Sequence, residues 1–400
     1  MLYWQAVINM EYEFSNAMRD MKPSAIREIF KSLGQPGAIS FAAGNPAAES
    51  FPARQMADIA AEIFKSQAAT ALQYGETEGY APLRAAVADR LQKRFGVDTA
   101  QNMTIITSGG QQAIELLCKT LCDPGDVVIC ENPSFIGALN AFRSLGAKPV
   151  GVELEEDGIS IEGLEDALKA NPRTKLLYLI PTFQNPTGIT MSLKKRKAVY
   201  ALAKRYDVVI LEDNPYGDLR FAGEDLPTIK SMDADGRVVY VGTFSKILSA
   251  GMRVGYACGN PAVLQKMVVA KQVEDVHTNL FFQILCARFL VQYDLQAHIA
   301  TICDLYREKC GLMVNALTRH MPSDVTFTRP DGGLFLWCTL PERVSQPTFI
   351  KQAAEQGVFV VPGGTFNCDE TAGSQSFRLN YSVPSAQQIE QGVATLGKLL

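Results

Sequence analysis

The chain has 400 residues, enough for a large domain and a smaller one, and its 47% hydrophobic and 20% charged residues are typical of a globular protein. Its 38 Lys and Arg residues against 42 Asp and Glu residues give a formal net charge of -4, which argues against a nucleic-acid partner and favours a small-molecule ligand. No apolar run reaches the roughly 18 residues of a membrane span.

The first 45 residues are predicted to form an N-terminal arm that joins the small domain. Met1–Phe14 lacks the basic and apolar stretches of a secretory leader. A helix is predicted from Ser24 to Leu33, because Gly34 and Pro36 are typical of a helix end. The nine cysteines are odd in number and scattered along the chain, so we expect reduced thiols and a cytoplasmic protein.

Short apolar runs alternate with amphipathic helical stretches from about residue 104 to 260. This pattern predicts an α/β large domain, residues 46–290, with a mostly parallel sheet sandwiched between helices. The predicted strands are Thr104–Thr107, Val127–Cys130, Leu176–Ile180, Val208–Leu211, Val238–Gly242 and Val254–Cys258. Helices are predicted over Gln112–Leu121 and Leu193–Arg205, the second capped by Ser192.

Four polar or glycine-rich segments lie just beyond ends of these strands, where open α/β sheets bind ligands. They are Thr107–Gln112, Gln184–Gly188, Glu212–Tyr216 and Gly242–Lys246. Taken singly, each has an ordinary interpretation as a turn, a helix cap or a solvated lysine. Together with Arg253, however, they bring an amine, an anion, hydroxyl groups and a cation to one edge of the sheet.

After Ala262 the pattern changes to long helices through about Val314 and then to short strands. This change predicts a smaller α+β domain at the C-terminus, residues 291–400. Its predicted strands are Val325–Thr328, Gly333–Leu340, Val358–Val361 and Phe377–Tyr381. The three histidines are spread over the chain, so no metal site is expected.

The four segments occur in order with further motifs at Pro23–Phe30, Phe41–Pro46, Gln73–Gly75 and Phe377–Ser382. Together they resemble the fold-type I enzymes that use pyridoxal 5′-phosphate (PLP), specifically the class I/II aminotransferases. The chain is most similar to the 2-aminoadipate, kynurenine and aromatic aminotransferase subgroup, and to the catalytic half of MocR-type regulators. The resemblance covers nearly the whole chain.

The resemblance implies that Lys246 binds PLP as a Schiff base and then carries a proton between the substrate and the cofactor. Asp213 is implied to pair with the pyridine nitrogen, and Tyr216 and Asn185 with the 3-oxygen. Phe135 aligns with an aromatic residue that stacks on the ring, although many relatives carry Tyr there and a core aromatic is the alternative. The implied phosphate contacts are Gly109, Gly110, Gln111, Thr243, Ser245 and Arg253.

For the substrate, Arg378 matches the arginine that binds the α-carboxylate, with Gly44, Asn45 and Asn185 contributing to the same end of the site. Arg27 matches a position that binds the distal carboxylate in some relatives, and a structural ion pair is the alternative. Tyr74 matches a tyrosine that reaches the phosphate of the neighbouring subunit, which implies a homodimer with shared active sites.

The expected reaction is transamination between an L-amino acid and a 2-oxo acid, with 2-oxoglutarate as the expected acceptor. One alternative keeps the fold and the lysine but eliminates at Cβ or Cγ, as a lyase does. Another is a MocR-like transcription factor that senses PLP. We expect no winged helix here, because the 23 residues before Ser24 are fewer than a domain requires.

Overall fold

The computed structural model describes residues 12–19, 21 and 37–400. The predicted helix at Ser24–Leu33, and Arg27 within it, lie outside the described residues. Strands occur at β1 (Ile39–Ser40), β2 (Met103–Thr107), β3 (Val127–Asn132), β4 (Lys148–Glu155), β5 (Gly158–Ile159), β6 (Thr174–Leu179), β7 (Val209–Asp213), β8 (Val238–Thr243), β9 (Gly255–Gly259), β10 (Thr326–Phe327), β11 (Phe335–Thr339), β12 (Val358–Phe359), β13 (Val361–Pro362) and β14 (Ser376–Asn380).

Helices pack on both faces of the larger sheet. Further helices occur in the C-terminal part. In chain order, the helices are α1 (Asn16–Arg19), α2 (Ala53–Ser66), α3 (Ala68–Ala71), α4 (Ala81–Phe95), α5 (Gly110–Leu121), α6 (Ile136–Ser144), α7 (Ile161–Ala170), α8 (Leu193–Arg205), α9 (Pro261–Glu274), α10 (Leu280–Gln292), α11 (Leu295–His320), α12 (Gln346–Glu355) and α13 (Ala386–Gly397). Short 3-10 helices lie at Ala48–Ser50, Lys230–Met232 and Gly363–Phe366. Within the described residues, no helix is long and apolar enough to cross a bilayer.

The larger sheet has eight strands in the order β2-β9-β8-β7-β6-β3-β4-β5. Six of the eight run in one direction, while β9 and β5 run against their neighbours. Leu176 and Tyr178 of β6 belong to one hydrophobic core, and Leu177 and Leu179 belong to another. Since alternate side chains of a strand point to opposite faces, the sheet is buried on both sides, as its continuous apolar runs predict.

A second sheet, β10-β11-β14-β13, is antiparallel throughout. Strand β1 lies far earlier in the chain, but it pairs in parallel with β12. The Phe41 N–H donates to the Phe359 carbonyl at 2.8 Å, and the Asn380 N–H donates to the Phe41 carbonyl at 2.8 Å. The segment after Gly37 is therefore joined by backbone hydrogen bonds to strands from the C-terminal part.

The predicted α/β architecture and the positions of the main strands are confirmed, whereas several details were wrong. Helix α8 has the predicted bounds because the Ser192 hydroxyl caps it, accepting from the Lys195 N–H. The predicted strand Val358–Val361 is two short strands with different partners. Strands β4 and β5 were not predicted, because all but one of the β4 residues are exposed or half-buried and the strand has no continuous apolar run.

Candidate active site

A cavity of about 420 Å³ lies at the edge of the larger sheet where β2, β6, β7 and β8 end. It contains most of the residues selected from the sequence: Gly44, Asn45, Gly110, Gln111, Phe135, Asn185, Asp213, Tyr216, Thr243, Ser245, Lys246, Arg253 and Arg378. Apolar and small residues complete its wall, namely Ile114, Ile180, Pro215, Ala250 and Phe335. Two further segments thus line the cavity together with the four segments at the strand ends. One follows β1 and contains Gly44 and Asn45, and the other is β14, which contains Arg378.

Lys246 is half-buried, three residues after β8, and its Nζ donates to the Gly44 carbonyl at 2.9 Å. Burial lowers the pKa of Lys246 to about 8, with the positive charges of Arg378 and Arg253 acting in the same direction and Asp213 opposing them. A substantial fraction of this amine is therefore neutral near pH 7.5. A neutral amine is the form that attacks a carbonyl group or accepts a proton.

Asp213 is the last residue of β7, and its side chain is buried. The Tyr178 hydroxyl donates to its Oδ2 at 2.8 Å. Burial raises the pKa of Asp213 to about 7, although this hydrogen bond and the Lys246 charge both lower it. A buried carboxylate of this kind gains most from a ligand that brings a positive charge or a proton.

The end of the cavity at the start of α5, here called the anion-binding end, contains groups of the kind that bind anions. Helix α5 starts at Gly110 without a side-chain cap, so the N–H groups of its first turn are available to a ligand. Arg253 donates to Ser245 Oγ at 3.4 Å and to the Ser108 carbonyl at 3.3 Å. Thr243 Oγ1 lies 2.9 Å from Ser245 Oγ. A helix N-terminus, two hydroxyl groups and a guanidinium group are the kinds of group that bind a phosphate.

Arg378, on β14, is buried at the side of the cavity formed by the second sheet. Its Nη1 donates to Asn185 Oδ1 at 2.9 Å and its Nη2 to the Ala42 carbonyl at 2.8 Å, while Nε has no hydrogen-bond partner among the described residues. The guanidinium lies 4.2 Å from the ring centroid of Phe335 and 4.9 Å from that of Phe366. Burial lowers the pKa of Arg378 to about 10, so it stays cationic at neutral pH and suits a carboxylate.

The middle of the cavity is lined by Asn185, Tyr216 and Phe135. Asn185 and Tyr216 are buried, and burial together with the Asp213 charge raises the pKa of Tyr216 against the influence of Arg378. The Lys246 Nζ lies 5.9 Å from the centre of the Tyr216 ring. Phe135 is half-buried at the start of α6, and its ring borders the cavity rather than only the core.

Two of the selected residues that the structure describes, Gly109 and Tyr74, do not line the cavity. Gly109 lies just behind the wall, where a Cβ atom would come 2.2 Å from Arg253 Nη2. The Tyr74 side chain is 80% exposed and packs edge-on against His277. Arg27 lies outside the described residues.

Sequence reasoning missed Tyr178, which bonds to Asp213, and the rings of Phe335 and Phe366, which enclose Arg378. Tyr178 lies within an apolar strand and is indistinguishable in sequence from a core aromatic residue. Phe335 and Phe366 contact the site through the folding of distant segments. No local sequence signal marks any of the three.

Comparison with known proteins gives consistent matches over almost the whole chain. The profile of the family described as aminotransferase class I and II matches residues 36–396. An aromatic-amino-acid aminotransferase from Thermococcus litoralis is 38% identical over 397 residues, covering 98% of this chain and 95% of the relative. A 2-aminoadipate transaminase from Thermus thermophilus is 39% identical over 390 residues, covering 97% and 96%.

Among solved structures, a kynurenine aminotransferase from Pyrococcus horikoshii superimposes with a TM-score of 0.93 at 38% sequence identity. The superposition covers 96% of both chains. That structure is described as a complex with PMP, kynurenine as substrate and KYA as product. The similarity extends over both sheets and therefore includes the residues on each side of the cavity.

Proposed function

The chain belongs to the aminotransferase class I and II family, and we propose that it transfers the amino group of an aromatic amino acid or of 2-aminoadipate to 2-oxoglutarate. It is a PLP-dependent aminotransferase, so the predicted enzyme class and cofactor are confirmed. The main support for the proposal is one cavity that combines Lys246 and Asp213 with Arg378. These three groups match an amine-reactive cofactor and an α-carboxylate.

The residues of the cavity fit PLP from one end to the other. The α5 N-terminus, Thr243, Ser245 and Arg253 would hold the phosphate, and the buried carboxylate of Asp213 would hold the protonated ring nitrogen. Asn185 and Tyr216 would donate to the 3-oxygen, with Phe135 against the ring. When bound, PLP supplies an electron-withdrawing ring that takes up the electron pair released at the substrate Cα.

Lys246 would both attach the cofactor and carry the proton that moves during the reaction. With a pKa of about 8, its amine accepts the proton from the substrate Cα and returns it at C4′ of the cofactor. Asp213 keeps the proton on the ring nitrogen, and Tyr178 orients that carboxylate through its hydrogen bond. Arg378 holds the α-carboxylate and thereby fixes which bond at Cα faces Lys246.

The cavity also supports a class of amino donor. Within the described residues, its cationic side chains are Lys246, Arg253 and Arg378, and each already has a role. The remaining wall includes Ile180 and Phe335, which suit an aromatic side chain. A second carboxylate, as in 2-aminoadipate, needs another cation, and we propose that Arg27 of the N-terminal arm supplies it.

We further propose a homodimer in the cytoplasm, with Tyr74 of each chain contacting the phosphate of its partner. Support comes from the exposure of Tyr74 together with other large apolar side chains, such as Leu72 and Val273, which are 73% and 81% exposed. All nine cysteines are free, which suits a reducing compartment.

The domain division that we propose is an arm at 1–45, a large domain at 46–290 and a small domain at 291–400. All strands of the eight-stranded sheet belong to the second range, and the antiparallel sheet belongs to the third. The pairing of β1 with β12 supports the assignment of the arm to the small domain.

A donor screen tests the reaction and the substrate class together. We expect aromatic donors and 2-aminoadipate to yield their 2-oxo acids in stoichiometric exchange with 2-oxoglutarate, without ammonia or pyruvate. The Arg27→Ala variant should lose about 10- to 100-fold in kcat/KM with 2-aminoadipate, the cost of a charge-assisted contact, while aromatic donors serve as the internal control. Release of ammonia would indicate a lyase, and equal losses with both donors would indicate a structural arginine.

A further inference from the structure

Lys271, on helix α9, is a fully buried lysine outside the cavity that has no role in the mechanism described above. Its side chain is 0% exposed. Its Nζ lies 2.6 and 2.9 Å from the two carboxylate oxygens of Asp275 and 2.9 Å from Gln112 Oε1. A buried ammonium group is costly unless it is paired, so these contacts need a structural or functional reason.

Gln112 connects this ion pair to the start of α5. Its amide oxygen accepts from Lys271 Nζ and, at 2.7 Å, from the Ser108 N–H. Its amide nitrogen donates to Asp275 Oδ2 at 2.8 Å and to Glu274 Oε1 at 3.1 Å. All the hydrogen-bonding capacity of the side chain is used, which fixes its orientation.

Ser108 is the residue on which these contacts converge. Its N–H donates to Gln112, its hydroxyl donates to Asp275 Oδ2 at 2.7 Å, and its carbonyl accepts from Arg253 Nη2 at 3.3 Å. Every polar group of Ser108 is therefore engaged within the protein. The Gly109 N–H that follows donates to the Thr107 carbonyl at 2.8 Å, and the first N–H at the anion-binding end of the cavity is that of Gly110.

We propose that Lys271, Asp275 and Gln112 form a positioning cluster that holds the Ser108–Gly110 turn in the geometry that binds the cofactor phosphate. The inference rests on the proposed function, because that function assigns the phosphate to this turn. The cluster does not touch the phosphate. It acts by keeping the backbone N–H groups and Arg253 in place before the ligand arrives, which lowers the cost of binding.

A comparison of PLP with pyridoxal, which lacks the phosphate, separates this role from general stabilisation. In the Lys271→Met variant, titration of the cofactor-depleted protein should give an affinity for PLP about tenfold lower. This is the size of loss expected when one charge-assisted contact to the phosphate is weakened. The affinity for pyridoxal should change less than twofold in the same variant. The ratio of the two affinities is the readout.

Lys230→Met is the matched control. Lys230 is equally buried and pairs with Asp233 at 2.8 Å, both side chains being 1% exposed. Its Nζ also contacts Asn102, which precedes β2, whereas Ser108 follows the other end of that strand. This variant should lose thermal stability as Lys271→Met does, but keep the wild-type affinity ratio.

Ser108→Ala provides a second route that leaves the buried ion pair intact. If Ser108 acts through Asp275, the double variant Ser108→Ala/Asp275→Asn should lower the affinity ratio no more than the larger single effect. Additive losses would overturn the inference, as would a Lys271→Met variant whose ratio equals that of the wild type. A wild-type protein that binds PLP no better than pyridoxal would instead overturn the phosphate assignment itself.

Discussion

Burial shifts the pKa of Lys246 and of Asp213 in opposite directions, so that both groups titrate close to neutrality. The pKa of Lys246 falls to about 8 and that of Asp213 rises to about 7. Each shift favours the neutral form, because a charge is poorly solvated in this cavity. In the cofactor-free protein, both groups therefore gain or lose a proton close to neutral pH. The free energy of unfolding of this protein must then depend on pH.

The raised pKa of Asp213 predicts that Asp213→Asn stabilises the cofactor-free protein at neutral pH. Below about pH 4 the carboxyl group is protonated in the folded and the unfolded chain. Between about pH 4 and 7 the unfolded chain has lost this proton and the folded chain retains it, so wild-type stability falls as the pH rises. Urea unfolding should give nearly equal free energies of unfolding near pH 4 and a difference of about 2–4 kcal/mol near pH 7.

Taking the difference between the two proteins removes other titrating groups. Glu212 is also buried with a raised pKa, but it is present in both proteins and cancels, whereas the raised pKa of Glu131 owes a smaller part to the Asp213 charge than to its own burial. Tyr178 can also donate to an amide oxygen, so the variant retains a partner for this hydroxyl group. A difference in free energy that does not change with pH would contradict the raised pKa of Asp213.

At the scale of one element, the start of α5 depends on a glycine whose backbone conformation and surroundings disfavour any side chain. Gly109 has a φ of 83°, and a Cβ atom there would meet Arg253 Nη2 at 2.2 Å. The positive φ disfavours any side chain, and a Cβ atom would have to push the guanidinium aside. The position thus links the geometry of the helix start to that of the arginine.

We expect Gly109→Ala to lower the affinity for PLP at least tenfold by displacing Arg253 from the phosphate end, a cost of about 1.4 kcal/mol or more. Gly357→Ala is the matched control, because Gly357 has a φ of 76° but, in the part of the chain that the structure describes, no atom lies within 4 Å of the added Cβ. Both variants should lose similar backbone stability, by roughly 1 kcal/mol. If both kept the wild-type affinity for PLP in fluorescence titration, the close approach at Gly109 would be irrelevant to binding.

Sequence patterns predicted the individual helices and strands better than they predicted the contacts between them. Continuous apolar runs revealed the central strands, because parallel strands covered on both faces require them. The direction of β9 was not predictable, since an antiparallel strand buried on both faces has the same composition. The selected site residues came from family motifs, whereas Tyr178 and the Lys271 cluster depend on contacts between distant segments.

For the whole molecule, the proposed contact of Tyr74 with the phosphate in the partner subunit predicts that activity recovers in mixed dimers. Lys246→Ala removes the amine from its own site, and Tyr74→Ala impairs the partner's site. After subunit exchange between these two variants, a hybrid dimer contains one site with both native residues. An equal mixture should recover roughly one native site in four, measured as transamination at limiting PLP.

The same experiment distinguishes where Tyr74 acts. If Tyr74 served the cavity of its own chain, the hybrid would contain no site with both native residues, and mixing would restore nothing. Mixing Lys246→Ala with Asp213→Asn, two variants of residues in the same cavity, supplies the negative control.

The backbone hydrogen bonds that join Phe41 to Phe359 and Asn380 have a consequence for how such an enzyme diversifies. They place Gly44 and Arg378 on one structural unit, while the groups proposed to handle the phosphate and the proton belong to the eight-stranded sheet and its loops. Phe335 of β11, one of the wall residues proposed to meet the donor side chain, belongs to the same sheet as Arg378. A mutagenesis library confined to the segment before Gly44 and to β11 should therefore change the accepted amino acid without rebuilding the catalytic apparatus.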